Sequence, residues 1–395
     1  MMYLDNNATT AIAPEVVASM QPYLTTEYFN PSSAYEASRG PAFAIKAARA
    51  QVAKFLGGVH PDEVLFTGCA TESNNAAIFG VMRANPGRRH IITTAVEHPS
   101  VLEVSKEAAR EGAEVSFIGV NQRGELDLDA FVKALRPDTL LVSIMHANNE
   151  TGVIFPIDEI ARIVKETDPG IIFHSDATQS VGKLGLDLTD RFACVDLLSF
   201  SGHKLHGPKG VGALFVRRGT RIRPFLCGGH QEGGRRAGTE NVGHIVALAK
   251  ACELAEEAMT DVTAMQALRD HLEASLCEKI PWLEVNGAGA LRLPNTLNLA
   301  CHCIEGESIL YQLDAAGICA SSGSACTSGS LEPSHVLQAM QIPFMAMHGS
   351  VRFSLSRYTT AAEVDTVIET FPGIVERLRR ISPYWDVARR APREG

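Results

Sequence analysis

Several features are scarce or absent in these 395 residues, and each absence excludes something. There is no excess of basic residues: 36 Lys and Arg face 45 Asp and Glu, for a net charge of −9. Non-specific binding to nucleic acid or to an anionic membrane needs a basic face, so neither is expected. No run approaches the roughly 20 apolar residues of a membrane-spanning helix. The first residues, MMYLDNNATT, lack the basic-then-apolar pattern of a secretory leader, and a cytoplasmic protein is expected. There is no C-x-x-C pair. The nine cysteines (69, 194, 227, 252, 277, 301, 303, 319 and 326) are odd in number, and the spacing of Cys301 and Cys303 does not suit a zinc knuckle. Cys252 and Cys277 fall in helix-like stretches as small hydrophobes, so free thiols in a reducing compartment are predicted. No internal repeat is visible, and the one low-complexity tract is SSGSACTSGS, residues 321–330.

What is present is globular. The chain is 45% hydrophobic and 21% charged, enough apolar side chain for a sizeable core. At roughly 100–200 residues per domain, two or three domains are expected. Between about residues 60 and 220, short apolar runs alternate with helical periods. EVLF (63–66), HIITT (90–94), EVSFI (114–118), TLLVSIM (139–145), GIIFH (170–174), VDLLSF (195–200) and VGALFV (211–216) read as strands. Continuous Val/Ile/Leu/Phe runs without alternation suit a parallel sheet covered on both faces. TESNNAAIFGVMRA, SVLEVSKEAAREG and PIDEIARIVKET are the helices between them. The pattern is α/β with about seven strands. After about residue 245 the texture changes. One long helical segment (243–280) leads into a mixed region with strand-like TLNLAC and SVRFSLS, a smaller α+β unit joined by the first residues of the chain.

In an open α/β sheet, ligands bind beyond the carboxyl ends of the strands. Polar residues gather there: GCATESNN after the first strand, VEHPS after the second, HANNETG after the fourth, HSDATQS after the fifth and SGHKLHGPKG after the sixth. His98, Asn149, Asp176, Gln179, Ser201, His203 and Lys204 therefore share one edge. Lys204 directly follows a buried strand among glycines, where an amine can form a Schiff base with an aldehyde. Asp176 closes another strand, where a carboxylate can pair with a protonated pyridine nitrogen. A lysine and an aspartate in these roles are what a protein contributes to a pyridoxal phosphate site. Ala70 and Thr71 at a helix start, with Ser201 and His203, supply donors for its phosphate.

The motifs LDNNATT, NPSS, ATES, EHP, NNETG, DATQSVGK, SFSGHK, PKGVG, GGHQEGGRRAGTEN and SSGSACTSGSLEPSHV, in this order from Leu4 to beyond Arg357, resemble a cysteine desulfurase of the NifS/IscS type. RFSLSRYT, SPYW and GGHQEGGRRAGTEN resemble the nitrogen-fixation branch more than the housekeeping one. The resemblance implies a class-V aminotransferase-like, fold-type I pyridoxal phosphate enzyme. It would have a large cofactor-binding domain at 15–256 and a small α+β domain of 1–14 plus 257–395. It implies that Lys204 carries the cofactor as a Schiff base, that Asp176 pairs with the pyridine nitrogen and that Gln179 hydrogen-bonds the phenolic oxygen. His98 would stack on the ring and relay protons, and Asn149 would fix ring or substrate. Ala70, Thr71, Ser201 and His203 would bind the phosphate, with Thr239 reaching it from a partner subunit of a homodimer. Arg352 would take the substrate carboxylate, since a planar guanidinium binds carboxylates bidentately, with Asn30 nearby. Cys69 departs from the family, in which glycine or serine is common at this place.

By the same resemblance, Cys326 takes sulfur from L-cysteine as a persulfide, leaving alanine. The thiolate is the reactive form, so neighbours or a base such as His98 must favour it. Gly323 and Gly329 among small serines predict backbone freedom, which lets a sulfur carrier visit both the cofactor and an acceptor. The resemblance implies as acceptor an iron–sulfur scaffold protein of the NifU/IscU kind, for nitrogenase maturation. It implies no intrinsic metal, only a transient [2Fe–2S] contact through Cys326. Two other readings stay open: a selenocysteine lyase-type elimination enzyme, and an idle scaffold that docks an assembly partner. The joint presence of Lys204, Asp176, His98 and Cys326 argues against the idle scaffold. A loop thiol argues against the lyase, which can release selenium without one.

Overall fold

The computed structural model describes residues 1–322 and 333–393. Cys326, Gly323 and Gly329, with the freedom expected of their loop, lie outside the described residues. The chain opens with the two-residue strand β1 (Met2–Tyr3) and the helices α1 (Pro14–Thr25) and α2 (Arg39–Phe55). The seven expected strands follow: β2 (Val64–Thr67), β3 (His90–Thr94), β4 (Glu114–Ile118), β5 (Thr139–Ser143), β6 (Ile172–Asp176), β7 (Leu197–Ser201) and β8 (Gly212–Val216). Between them stand α3 (Ala70–Ala84), α4 (Pro99–Arg110), α5 (Leu128–Ala134) and α6 (Ile157–Thr167). The sheet order is β2-β8-β7-β6-β5-β3-β4. Every pairing from β7 to β4 is parallel, while β8 runs antiparallel to both β2 and β7. β2, β3, β5, β7 and β8 are buried at every residue, which is why they read as uninterrupted apolar runs.

The long helical segment is two helices, α7 (Val242–Ala258) and α8 (Val262–Lys279), separated by a 3-10 turn at Met259–Asp261. The Thr260 hydroxyl bonds the Glu257 carbonyl at 2.7 Å, and β-branched and short polar residues favour such local bonds over a continuing helix. A second, three-stranded antiparallel sheet follows, ordered β12-β10-β9 from β9 (Leu283–Val285), β10 (Thr296–Cys301) and β12 (Ser350–Ser354). α9 (Gly306–Ala315), β11 (Ile318–Cys319), α10 (His335–Ala339) and α11 (Phe344–Met347) lie between the last two strands. α12 (Ala361–Ile381) and the short strands β13 (Trp385–Asp386) and β14 (Ala391–Pro392) complete it.

Leu4 packs with Leu272, Leu276, Leu297, Phe353 and Phe371 in a core of its own, so the first residues do join the second sheet. β1 pairs with β11, and Asp5 bridges Ser354. α10 takes the other side: Val336, Leu337 and Met340 pack into the core that holds β5, β7 and α7. No described helix is long and apolar enough to cross a membrane.

Candidate active site

The carboxyl ends of β2, β5, β6 and β7 enclose a cavity of about 240 Å³. Nine of the residues expected at the site line it: Ala70, Thr71, His98, Asn149, Asp176, Gln179, Ser201, His203 and Lys204. Each follows or ends a strand or opens a helix, so the sheet itself brings them together.

Asp176, the last residue of β6, is 6% exposed and carries a fixed carboxylate. Asn74 Nδ2 donates to its Oδ2 at 2.7 Å, and the Thr178 amide donates to Oδ1 at 2.9 Å. Asn74 Nδ2 also donates to Ser100 Oγ at 2.9 Å. Ser100 Oγ lies 2.8 Å from His98 Nδ1, which in addition accepts from the Ser100 amide at 3.1 Å. An Nδ1 that accepts leaves the neutral ring's proton on Nε2. Burial, then Lys204 and His335, lower the His98 pKa, with Asp176 opposing. His98 is also the N-cap of α4, which fixes its place on the rim.

Lys204 Nζ donates to the Asn7 and Ala8 carbonyls at 2.5 and 2.7 Å. Gln179 Nε2 reaches the same Asn7 carbonyl at 3.0 Å. The LDNNATT segment thus backs the site, with the Asn7 and Ala8 carbonyls holding Lys204 and Gln179 and Ala8 lining the cavity. His203 pairs with Thr9 Oγ1 at 3.1 Å, and its pKa is pushed to about 4 by burial and then Lys204, Lys209 and His98. It is a neutral hydrogen-bonding ring at physiological pH.

At the other end, Cys69 is the N-cap of α3 in extended conformation (φ −175°), with no side-chain cap bond. The thiol leaves the first amides of α3 available to an anion beside Ala70 and Thr71. Gly212 permits this approach: a Cβ there would sit 2.7 Å from the Phe200 carbonyl and 2.9 Å from the Cys69 carbonyl carbon.

Among the described residues, three expected site residues do not line the cavity. Asn30 is exposed, with its side chain turned to the Ser32 amide at 2.9 Å. Thr239 is exposed in a loop tied to α3 by Arg236 Nε on Glu72 Oε1 at 2.9 Å. Arg352, on β12, lies just behind Asn149, donating from Nη1 to its carbonyl at 2.8 Å. Its Nη2 is already paired with Asp5 Oδ1 at 2.8 Å, and its Nε is buried without a partner. Backbone bonds join Arg352 to Ser321, which precedes the Cys326 stretch. After that stretch, Ser334 Oγ donates to Glu150 Oε2 at 2.5 Å, and His335 Nε2 pairs with the Glu97 carbonyl at 2.9 Å.

Asn74, Ser100, Glu97, Glu150 and Asp5 were not singled out by sequence reasoning. All stand in or beside quoted motifs, but only chain contacts at long separation give them a purpose.

The aminotransferase class-V family model matches residues 2–367. The NifS cysteine desulfurase of Azotobacter vinelandii is 52% identical over 385 residues, covering 97% of this chain and 95% of that protein. Cysteine desulfurase 2 of Trichormus variabilis is 55% identical over 384 residues, covering 97% and 95%. A solved structure described as a NifS-like protein superposes with a TM-score of 0.89 at 38% identity, covering 95% of this chain and all of that one. The chain belongs to the class-V aminotransferase family. Within that family it is of the NifS-type cysteine desulfurase group.

The cofactor of this family is pyridoxal phosphate, and the residues present fit it. A fixed buried carboxylate at one end of the cavity suits a pyridinium, uncapped helix amides at the other suit a phosphate, and a primary amine stands between them. Thr178 Oγ1, on the cavity wall, is buried without a partner.

Proposed function

We propose that this protein is a cysteine desulfurase that takes sulfur from L-cysteine onto Cys326 as a persulfide, releases L-alanine, and delivers the sulfur to iron–sulfur cluster assembly, including that of nitrogenase. The observation that carries the reading is the attachment of both described flanks of the Cys326 stretch to the cavity edge. Ser321 bridges Arg352 on one side; Ser334 and His335 hold Glu150 and Glu97 on the other.

Lys204 would hold pyridoxal phosphate, Asp176 its ring nitrogen, Gln179 its phenolic oxygen, and Ala70, Thr71, Ser201 and His203 its phosphate. The bound cofactor supplies an electron sink for carbon bonds of the amino acid. Asn74 and the Thr178 amide keep the Asp176 carboxylate aimed. The Lys204 amine, anchored over the Asn7 and Ala8 carbonyls, carries the proton taken from and returned to the substrate carbon skeleton. His98, neutral with its proton on Nε2, would face the cofactor ring and pass protons at that atom. Asn149 would fix ring or substrate, and Arg352 would receive the substrate carboxylate.

Sulfur transfer balances without an external oxidant. The Cys326 thiolate forms an S–S bond to the substrate sulfur as the Cβ–S bond breaks. The bonding pair stays with the carbon fragment, which becomes alanine on protonation. The two sulfurs are oxidised and the carbon is reduced by the same two electrons.

The reading extends to assembly. The protein works in the cytoplasm as a homodimer in which Thr239 of each subunit completes the phosphate site of the other. Thr239 is exposed and its loop is pinned to α3, which supports that arrangement. The chain divides into a large domain of residues 15–256 and a small one of 1–14 plus 257–395, supported by the separate core around Leu4, Phe353 and Phe371. A scaffold protein of the NifU/IscU kind accepts the sulfur, with a transient [2Fe–2S] contact through Cys326.

The test is to incubate the purified protein with L-cysteine and a reductant and to measure alanine and sulfide. Lys204→Ala and Cys326→Ala should both lose sulfide release, while Cys326→Ala keeps the absorption band of the bound cofactor. Unimpaired sulfide release by Cys326→Ala sinks the persulfide assignment, and a wild type that makes no alanine sinks the enzyme. A monomeric mass for the cofactor-loaded protein removes the dimer.

A further inference from the structure

A second cavity, of about 350 Å³, shares Lys204 with the first but is built from other elements. It lies where the end of α7 and the start of α8 meet residues 355–359. Its charged groups, among the described side chains, are cationic. Lys183, Lys204 and Arg357 line it, and no carboxylate does among the described side chains. The rest of the wall combines neutral polar residues, Asn6, Thr10, Ser356 and Thr359 among them, with an aliphatic stretch of Ala258, Val262, Met265 and Leu268.

Neither Lys183 nor Arg357 has a counter-charge there. Lys183 Nζ meets only the oxygens of Gln179 among its hydrogen-bond partners, the carbonyl at 2.8 Å and Oε1 at 3.5 Å. Arg357 Nη1 donates to the Leu254 carbonyl at 2.9 Å, while its Nη2 is buried with no partner. A buried guanidinium nitrogen left unbonded is costly, and such a group calls for an acceptor. Burial, with Lys204 and Arg352 adding to it, pushes the Lys183 pKa down to about 7. Both cations bear on His206, whose pKa is pushed to about 4, first by burial. The wall therefore repels further positive charge and lacks negative charge.

We propose that this cavity is a binding site for a small organic carboxylate with a short aliphatic body. The carboxylate lies against Lys183 and Arg357, and the aliphatic part against Ala258, Val262, Met265 and Leu268. A guanidinium and an ammonium give a carboxylate charge-assisted hydrogen bonds in a setting withdrawn from water. The apolar wall favours a ligand with a hydrocarbon body over a bare inorganic anion. An amino acid fits poorly, because no carboxylate among the described residues of the wall offers an ammonium a counter-charge. The site thus discriminates against the substrate of the neighbouring cavity by charge alone.

Calorimetric titration of the cofactor-loaded protein with hexanoate, and with 6-aminohexanoate as the zwitterionic counterpart, tests this. Saturable binding of hexanoate is expected, with 6-aminohexanoate much weaker. Lys183→Met and Arg357→Met, each checked for folding by circular dichroism, should weaken hexanoate by roughly tenfold or more, the worth of one charge-assisted hydrogen bond. Arg352→Lys should leave hexanoate binding intact. The proposal is overturned if the wild type shows no saturable binding, or if 6-aminohexanoate binds as tightly as hexanoate. It is equally overturned if binding survives both methionine variants and is lost in Arg352→Lys, which would place hexanoate in the other cavity.

Discussion

Asn74 Nδ2 stands 2.7 Å from Asp176 Oδ2, and the same nitrogen stands 2.9 Å from Ser100 Oγ. One fully buried amide thus orients both the carboxylate assigned to the ring nitrogen and, through Ser100, the imidazole assigned to the ring face. Removing it in Asn74→Ala takes one of two donors from Asp176 and frees Ser100. A hydrogen bond to a charged group contributes about 1.5–3 kcal/mol, so kcat/KM should fall roughly tenfold to a hundredfold. Cofactor affinity, followed by its absorption on dilution, should fall with it. An Asn74→Ala protein with wild-type affinity and rate would show that Asp176 holds its position without help.

His98 makes a second prediction. Its pKa is lowered by burial, then by Lys204 and His335, against the opposing pull of Asp176. The ring should therefore remain neutral at pH 7 and titrate below the ordinary histidine value, with the proton on Nε2. Nitrogen NMR of the labelled protein reads both the pKa and the tautomer. A His98 resonance that titrates above the ordinary value contradicts this. His98→Gln should lower kcat by about a hundredfold or more if the ring moves protons.

How much of this was legible in the sequence follows from what each feature depends on. All seven sheet strands could be located, because strands such as Leu197–Ser201 are buried on both faces and need an unbroken apolar run. The positions of Lys204 and Asp176 followed from the strands that carry them. Strand order did not follow: nothing local in Gly212–Val216 says that it lies antiparallel between β2 and β7. The break between α7 and α8 does not follow either, since Met259 continues the helical composition and a single threonine, whose hydroxyl bonds the Glu257 carbonyl, is a weak local signal. The pairing of Asp5 with Arg352 and of Asn74 with Asp176 joins residues that no short window contains. Lys183 and Arg357 likewise look like solvated charges until the fold encloses them.

The Asp5–Arg352 pair carries a third prediction. Arg352 is 3% exposed in its side chain, and Asp5 occupies Nη2 while the Asn149 carbonyl occupies Nη1. A substrate carboxylate bound by Arg352, as proposed, would share this guanidinium with a resident one. Asp5→Asn keeps an oxygen to accept from Nη2 but removes the competing charge, so KM for L-cysteine should fall several-fold, with the effect in KM rather than kcat. Arg352→Lys should act in the opposite sense, raising KM by roughly tenfold, because an ammonium cannot serve the fork of acceptors. Steady-state kinetics separates the two. A rise in KM for Asp5→Asn would mean that Asp5 serves only to splint the guanidinium.

Glu97 allows a prediction about stability and pH. Its carboxyl is fully buried, Oε1 accepts from the Met145 amide and Thr94 Oγ1 at 2.9 Å each, and Oε2 has no partner. Burial pushes its pKa up to about 8, with nearby Asp176 adding a smaller push. The unfolded chain loses this proton near the ordinary value of 4.5, while the folded protein keeps it to about 8. Between those limits the folded state binds more protons, so stability falls as pH rises through the window and levels off above it. Glu97→Gln retains the accepting oxygen and removes the ionisation. Thermal melts of the cofactor-loaded proteins should then show little difference at pH 5 and a higher Tm for the glutamine variant at pH 8.5. An equal difference at both pH values would show that the Glu97 proton does not distinguish folded from unfolded chain.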